Sequence, residues 1–458
     1  MMKVLLIIER PRIEGLYLTK LQPLGVLYLA SYLESKGISA DVVDYNVEKM
    51  KKVGKRIDYR QYDFIGYSLN CANIENTLSS IAQMKKKYPR IPIVLGGPHA
   101  RVIPKELMEA APIDCLIPYE AEEIFFDYLM AKNKMSVKGL WLRQGKGHDK
   151  GRGKGKRVIF TGVAEPVSNL DMLPFPSFQK LPYKKYTVVV KKKKPVCAII
   201  TSRGCPNMCI FCHHSLGFKY RERSPENVLA EIKRLKNELG IREVWIADDN
   251  FTFNPKRIER LCDLLIKDKV NVSIALANGV RPTNLTESLL RKLKQAGCWF
   301  LTVAPESGND ESLIKIRKGF RLEDVERVVK LCKKLGIRTM ANYIIGFPWE
   351  GEAELDKTVL FAKKLDTDMI NVQRLYPYPG TPIWDLIMHK EYALKDEKTY
   401  LKDKRLRHPS LTEKQIQSFI KKTNHAFYTP KKILSIAGML RPADFFRLIR
   451  YALTTRSM

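Results

Sequence analysis

Cys205, Cys209 and Cys212 are the residues of this chain whose type and spacing most directly promise chemistry. They fall on one short run, TSRGCPNMCIFC, from Thr201 to Cys212. Three thiolates on a single loop can occupy three corners of a metal centre, and thiolate suits zinc and iron–sulfur clusters. No fourth cysteine stands nearby. One reading is structural zinc of the three-cysteine, one-histidine type, completed by His213 or His214, in a non-catalytic binding module. Structural zinc usually draws ligands from two separated pairs and so staples two segments, whereas here all three thiolates come from one loop. A cluster held by three thiolates leaves one iron free to hold a substrate, and that catalytic arrangement is the expectation. Cys71, Cys115, Cys197, Cys262, Cys298 and Cys332 lie in or beside strand and helix patterns, where small core thiols are the default. An odd, dispersed set of nine cysteines argues against a disulfide framework.

Such a loop needs a rigid frame. Strand-like runs at 196–201, 243–247, 272–277, 299–304, 339–345 and 369–375 alternate with amphipathic helical stretches such as 225–239, 255–267 and 322–335. Six βα repeats predict a partial (β/α)6 TIM-like barrel, short of the usual eight, with its chemistry at the strand C-terminal ends. At those ends stand Ala247-Asp248-Asp249-Asn250-Phe251, Asn278-Gly279-Val280-Arg281-Pro282, Ala304-Pro305-Glu306-Ser307-Gly308, Tyr343-Ile344-Ile345-Gly346-Phe347-Pro348 and the proline-rich 376–382. The region before the barrel alternates strands (4–8, 39–45, 64–69, 91–95, 115–118) with helices (24–36, 75–88), which predicts an α/β, doubly wound, Rossmann-like domain. Ligands of such sheets sit beyond the strand carboxyl ends, where Ser68-Leu69-Asn70 and Gly96-Gly97-Pro98-His99 fall. The expected organisation is a first domain over 1–133, a connecting hairpin and linker over 134–194, the barrel over 195–400 and a C-terminal helical segment over 401–458.

With the spacing CxxxCxxC and the aromatic Phe211 before its last cysteine, the chain resembles the radical S-adenosylmethionine superfamily. The strand-end peptides match that family's turns in order. The resemblance implies a 4Fe–4S cluster on Cys205, Cys209 and Cys212, whose open iron is chelated by S-adenosylmethionine. One electron then gives methionine and a 5′-deoxyadenosyl radical that takes hydrogen from an unactivated carbon. It also implies that Asp248, Asp249 and Asn250 meet the amino group of the methionine moiety and that Arg281 pairs with its carboxylate. Glu306 and Ser307 are implied at the ribose and carboxylate, and Gly346 and Pro348 at the adenine. An electron donor such as ferredoxin or flavodoxin follows.

The first domain, with Pro23-Leu24-Gly25, Ser68 and Gly96-Gly97, resembles the cobalamin-binding domain of one branch of that superfamily. The likeness runs over residues 1 to 400 and takes in the boundary stretch 170–176. It implies a groove for the cofactor's nucleotide tail, in which Gly96 and Gly97 let the tail pass close to the backbone and Ser68 offers its hydroxyl to the base. Residues 1–98 hold no histidine, so the Asp-x-His-x-x-Gly loop of related cobalamin folds is missing and a base-off cobalt is implied. Pro118-Tyr119-Glu120-Ala121-Glu122 stands where many relatives have a glycine-rich turn. The implied reaction is methylation of an unactivated carbon: one S-adenosylmethionine methylates the cobalt and a second supplies the radical. The alternative is cyclisation or oxidation of a lipid or tetrapyrrole, with a first domain that binds no cofactor.

Lysine and arginine number 80 against 49 acids, a net charge of +31, which favours a polyanionic partner. The glycine and basic run 144–157 carries no aromatic, and RNA recognition normally adds stacking platforms, so that run reads as a solvated loop. Nucleic acid is therefore favoured less than an anionic membrane surface. Past Pro442, Phe445, Phe446, Leu448, Ile449 and Leu453 alternate with Arg447 and Arg450 at helical spacing, fit either to dock on the barrel or to lie at such a surface. Hydrophobic residues at 45% and charged ones at 28% exclude wholesale disorder. The apolar run 4–8 is too short for a signal-peptide core, and no stretch approaches ~20 uncharged residues. A cytoplasmic protein, with peripheral membrane contact, is expected. His99, His148, His389, His408 and His425 lack metal-ligand partners at useful spacing.

Overall fold

The computed structural model describes residues 1–11, 20–143, 157–188, 190–388, 408–437 and 445–446. The chain forms two compact units, Met1–Tyr186 and Thr187–Met458.

The first unit is built on a seven-stranded sheet. Strand β1 (Lys3–Ile8) has the sequence KVLLII and is buried along almost its whole length, as a central strand covered on both faces must be. Strands β2 (Ser39–Asp44) and β3 (Phe64–Ser68) pair on either side of it, followed by β4 (Ile93–Gly96) and β5 (Cys115–Leu116), all parallel. Helices Leu24–Ser35, Met50–Arg56, Ile74–Lys87 and Pro104–Ala110 lie between them in sequence, and Ala121–Met130 follows β5. The order 2-1-3-4-5 reverses at β1, and the crevice of such a sheet opens between the carboxyl ends of β1 and β3.

The hairpin expected as a connector instead completes this sheet. Strands β6 (Trp141–Arg143) and β7 (Val158–Phe160) add antiparallel to β5, with Leu142 opposite Cys115 and the Trp141 and Phe160 rings stacked at 5.1 Å. A two-residue β5 would otherwise leave an open edge, which the hairpin covers. The stretch beyond is also tied back: the Tyr186 hydroxyl donates to Asp44 Oδ2 at 2.6 Å, and Ser177 and Ser31 share a hydrogen bond. The compact unit therefore runs to Tyr186, and position 133 lies inside it. The glycine and basic run 144–156 lies outside the described residues.

The second unit has six parallel strands in sequential order, β8 (Val196–Ile199), β11 (Glu243–Ile246), β12 (Ser273–Val280), β13 (Cys298–Glu306), β14 (Arg338–Ile345) and β15 (Met369–Arg374). Between β8 and β11 a short antiparallel pair, β9 (Ser202–Arg203) and β10 (Arg221–Glu222), closes the base of one loop. The helices have local signals: Pro225–Leu239 starts with Ser224 accepting from Asn227 N and with proline in its first turn, and ends on left-handed Gly240. Sequence and structure agree on a partial (β/α)6 barrel.

The outer strand β15 is covered by the helix Glu413–Phe427, which packs against β15 and the helix Glu352–Leu365. Just beyond, the Tyr428 hydroxyl donates to Ile370 O at 2.9 Å and accepts from Ile370 N at 3.1 Å. This part of the C-terminal segment docks on the barrel. The arginine and phenylalanine helix expected past Pro442 lies outside the described residues apart from Phe445 and Phe446.

Candidate active site

The cysteine loop is anchored before it carries a thiol. At the end of β11, Asp248 accepts from Thr201 N at 2.6 Å, Thr201 Oγ1 at 2.5 Å and Ser202 Oγ at 2.7 Å. Burial pushes the Asp248 carboxyl above its ordinary range, and the Arg257 charge opposes this. Arg257 itself donates to Thr201 O at 2.7 Å and Arg223 O at 2.8 Å, so two buried charges fix the exit of β8. Next, Gly204 donates to Asp249 Oδ2 at 3.2 Å. Its φ is +83°, and a Cβ there would fall 2.3 Å from Lys219 O. Only glycine lets the loop fold so tightly on its own return strand.

Within the loop, Cys205 N donates to Gly217 O, Cys212 N to Cys209 O, and Ile210 N to Ile316 O. His214 spans it from beneath, with Nε2 2.7 Å from Asn207 O and Nδ1 2.9 Å from Cys212 O. Both ring nitrogens are thereby engaged by the loop's own carbonyls, which removes His214 as a fourth zinc ligand. His213 lies against the Tyr378 ring at 5.7 Å. Among the described residues no three His, Cys, Asp or Glu side chains are gathered to grip a single ion.

The thiols of Cys205, Cys209 and Cys212 are unbridged and partly exposed. Burial raises all three above the usual thiol range, so taking up iron would release protons. Asn207 Nδ2 lies 3.4 Å and Asn250 Nδ2 3.7 Å from Cys205 Sγ, close enough to steady a thiolate. These features fit a three-thiolate cluster: one loop, no disulfide, and amide donors aimed at sulfur.

The residues expected to meet S-adenosylmethionine fall into two groups. Asp249, Asn250 and Glu306 stand at strand ends around the loop. Phe211 packs edge-on to Phe347 at 6.0 Å, which places it against the Gly346–Pro348 turn. Gly346 takes a left-handed φ of 101°. Glu306 is a non-glycine residue at φ 67°, just past an irregularity in the β13–β14 register. Such backbone costs ~1–3 kcal/mol and is kept where the surroundings enforce it. Its carboxylate binds Lys318 Nζ at 2.8 Å.

Three expected contacts are employed otherwise. Asp248 is spent on Thr201 and Ser202, as above. Arg281 donates to Asn207 Oδ1 at 2.7 Å, Gly319 O at 2.6 Å, Lys318 O at 3.2 Å and Thr283 Oγ1 at 3.2 Å, so its guanidinium ties the cysteine loop to the segment 318–319. Ser307 is fully buried and donates to Glu350 Oε1 at 2.7 Å. Glu350 was not singled out in the sequence. It also accepts from Ser312 at 2.7 Å, and burial pushes its carboxyl up to about 7. It pins the β13 turn to the Phe347-Pro348 turn. Lys318 was likewise missed, since one lysine among 80 basic residues gives no signal.

In the first unit, Ser68 ends β3 beside β1, at the reversal of strand order. Gly97 has φ +101°, and a Cβ there would meet Leu69 O at 2.5 Å and Ser68 Oγ at 3.0 Å. Its bare Cα serves the packing of these two turns. A Cβ at Gly96 would meet, among the described residues, only Ile117 O at 3.6 Å, an ordinary contact, so its surroundings do not exclude a side chain as those of Gly97 do. His99 is buried.

The sequence profile of the radical SAM superfamily matches residues 199–362, and that of the B12 binding domain matches residues 17–128. The uncharacterized methyltransferase PH0819 of Pyrococcus horikoshii is 30% identical, over 94% of both chains. The chain belongs to the radical SAM superfamily, in the branch with a B12-binding domain. An anaerobic magnesium-protoporphyrin IX monomethyl ester cyclase of Rubrivivax gelatinosus is 26% identical over 82% of this chain and 68% of its own length. Among solved structures, the cobalamin-dependent radical enzyme OxsB, with aqua-cobalamin and S-adenosylmethionine bound, superposes with a TM-score of 0.74 at 18% identity. That match covers 99% of this chain and 71% of OxsB and shows a shared fold.

Proposed function

We propose that this radical SAM protein is a cobalamin-dependent methyltransferase acting on an unactivated carbon. The observation that carries the reading is the three-cysteine loop at the carboxyl mouth of a six-stranded parallel barrel, in a chain that also holds a B12-type sheet. When bound, the 4Fe–4S cluster supplies the electron that cleaves S-adenosylmethionine, and cobalamin supplies a carrier for the methyl group. Cys205, Cys209 and Cys212 hold the cluster. Asp249 and Asn250 face the methionine end, Glu306 offers its carboxylate to ribose hydroxyls, and the Gly346–Pro348 turn with Phe211 borders the adenine. The apolar lining of Phe211 and Phe347, continuing into Ile210, Ile316 and Leu375, keeps water from that side of the loop. In the first unit, Ser68, Gly96 and Gly97 border the cobalamin tail.

The relative named as a magnesium-protoporphyrin cyclase supports a second reading, radical ring closure on a tetrapyrrole or lipid. Both need a low-potential donor such as ferredoxin or flavodoxin. The net charge of +31 supports an anionic membrane surface as the place where an apolar substrate is met. Anaerobic protein with a loaded cluster, given a strong reductant and methyl-labelled S-adenosylmethionine, is expected to release 5′-deoxyadenosine and, with cell extract, to label a product by one methyl group. Fully clustered protein that releases no 5′-deoxyadenosine refutes the radical reading; radical cleavage with an unlabelled, dehydrogenated product selects the cyclase.

A further inference from the structure

The segment 316–319 runs alongside the cysteine loop and is joined to it three times. Ile210 N donates to Ile316 O, Cys209 Sγ lies 3.7 Å from Arg317 O, and Arg281 bridges Asn207 to Lys318 O and Gly319 O. This brings the Lys318 side chain, only 11% exposed, under the loop. Its ammonium lies 5.4 Å from the centroid of Phe211, between two cysteines in sequence, and 5.7 Å from that of Phe320. Glu306, 9% exposed and fixed by its left-handed backbone, holds it at 2.8 Å. A buried ion pair is costly to build and replaceable by apolar residues, so its presence beside the thiols calls for a use.

We propose that Lys318 and Glu306 form a charge pair that sets the reduction potential of the cluster, with the Lys318 ammonium, held against Phe211 of the cysteine loop, raising it. The inference rests on the iron–sulfur reading above. Potentials of such clusters follow local charge, hydrogen bonding and exposure, and a cation shielded from water stabilises the reduced, more negative state. Lys318 is thus a positioning and tuning residue for electron entry, and Glu306 is its counterweight.

The test is a redox titration of the full chain, anaerobically reconstituted and free of S-adenosylmethionine, followed by the electron paramagnetic resonance signal of the reduced cluster. Lys318→Met, which keeps length and removes charge, is expected to make reduction about tenfold less favourable, ~59 mV for one electron. Lys318→Arg should stay near wild type, and Glu306→Gln should shift the potential the opposite way. Unchanged potentials in Lys318→Met and Glu306→Gln, or shifts of the same sign in both, overturn the inference. If Lys318→Met fails to load, the upward shift in Glu306→Gln still decides it. Wild type that takes up no iron and sulfide overturns the iron–sulfur reading instead.

Discussion

Glu350→Gln is expected to change how stability depends on pH. The Glu350 carboxyl is fully buried and accepts two serine hydroxyls through Oε1. Burial raises it from an ordinary 4.5 to about 7. Its folded pKa therefore lies above its unfolded one, and between roughly pH 4.5 and 7 the folded state keeps a proton that the unfolded state has lost. Stability falls as pH rises through that window and levels off above it. At ~1.4 kcal/mol per unit, the 4.5-to-7 shift corresponds to ~3 kcal/mol lost by pH 8. Glutamine mimics the protonated form at every pH, and what the ionised carboxylate gains from the two serine hydroxyls is already contained in the value of about 7. The variant should thus match wild type near pH 5 and exceed it by ~2–3 kcal/mol at pH 8. Urea unfolding of the second unit, followed by its tryptophan fluorescence at both pH values, measures this. A wild type to variant difference that is the same at pH 5 and pH 8 refutes the reasoning.

Gly204→Ala should abolish iron and acid-labile sulfide while leaving far-UV circular dichroism intact, because its Cβ would meet the Lys219 carbonyl at 2.3 Å and the loop could not close. It should match the Cys205, Cys209 and Cys212 triple alanine variant in iron content; retained iron in either variant speaks against the loop as the cluster site. Gly96→Phe should lose co-purifying cobalamin with little change in melting temperature, whereas Gly97→Ala should melt earlier because it strikes Leu69 O at 2.5 Å. Equal cobalamin in Gly96→Phe and wild type counts against that groove. Sedimentation with anionic vesicles should be salt-sensitive and weaken on truncation before Pro430 more than on deletion of 144–156. Binding lost only in the loop deletion assigns the contact to the loop.

Much of the fold, and the peptides from which the candidate site is built, were legible in the chain because they are local. Period and punctuation gave six barrel strands in order, and the cysteine spacing, Phe211 and the strand-end turns are contiguous peptides whose chemistry travels with their residue types. The sequence by itself also placed Ser68 and the glycine pair at strand ends in the first sheet. Tertiary structure decided whatever depends on which distant segments meet. The hairpin of Trp141 and Phe160 joined the first sheet because an edge strand takes a partner regardless of where the linker seems to begin. Asp248, Arg281 and Ser307 turned from cofactor contacts into braces because other groups reached them first: Thr201 and Ser202, the carbonyls of Lys318 and Gly319, and Glu350. Lys318 and Glu350 gained their importance from burial beside particular partners, and burial is a property of the packed chain. Residue type fixed what each group could donate or accept; only packing fixed which partner it found and how much water was left around it.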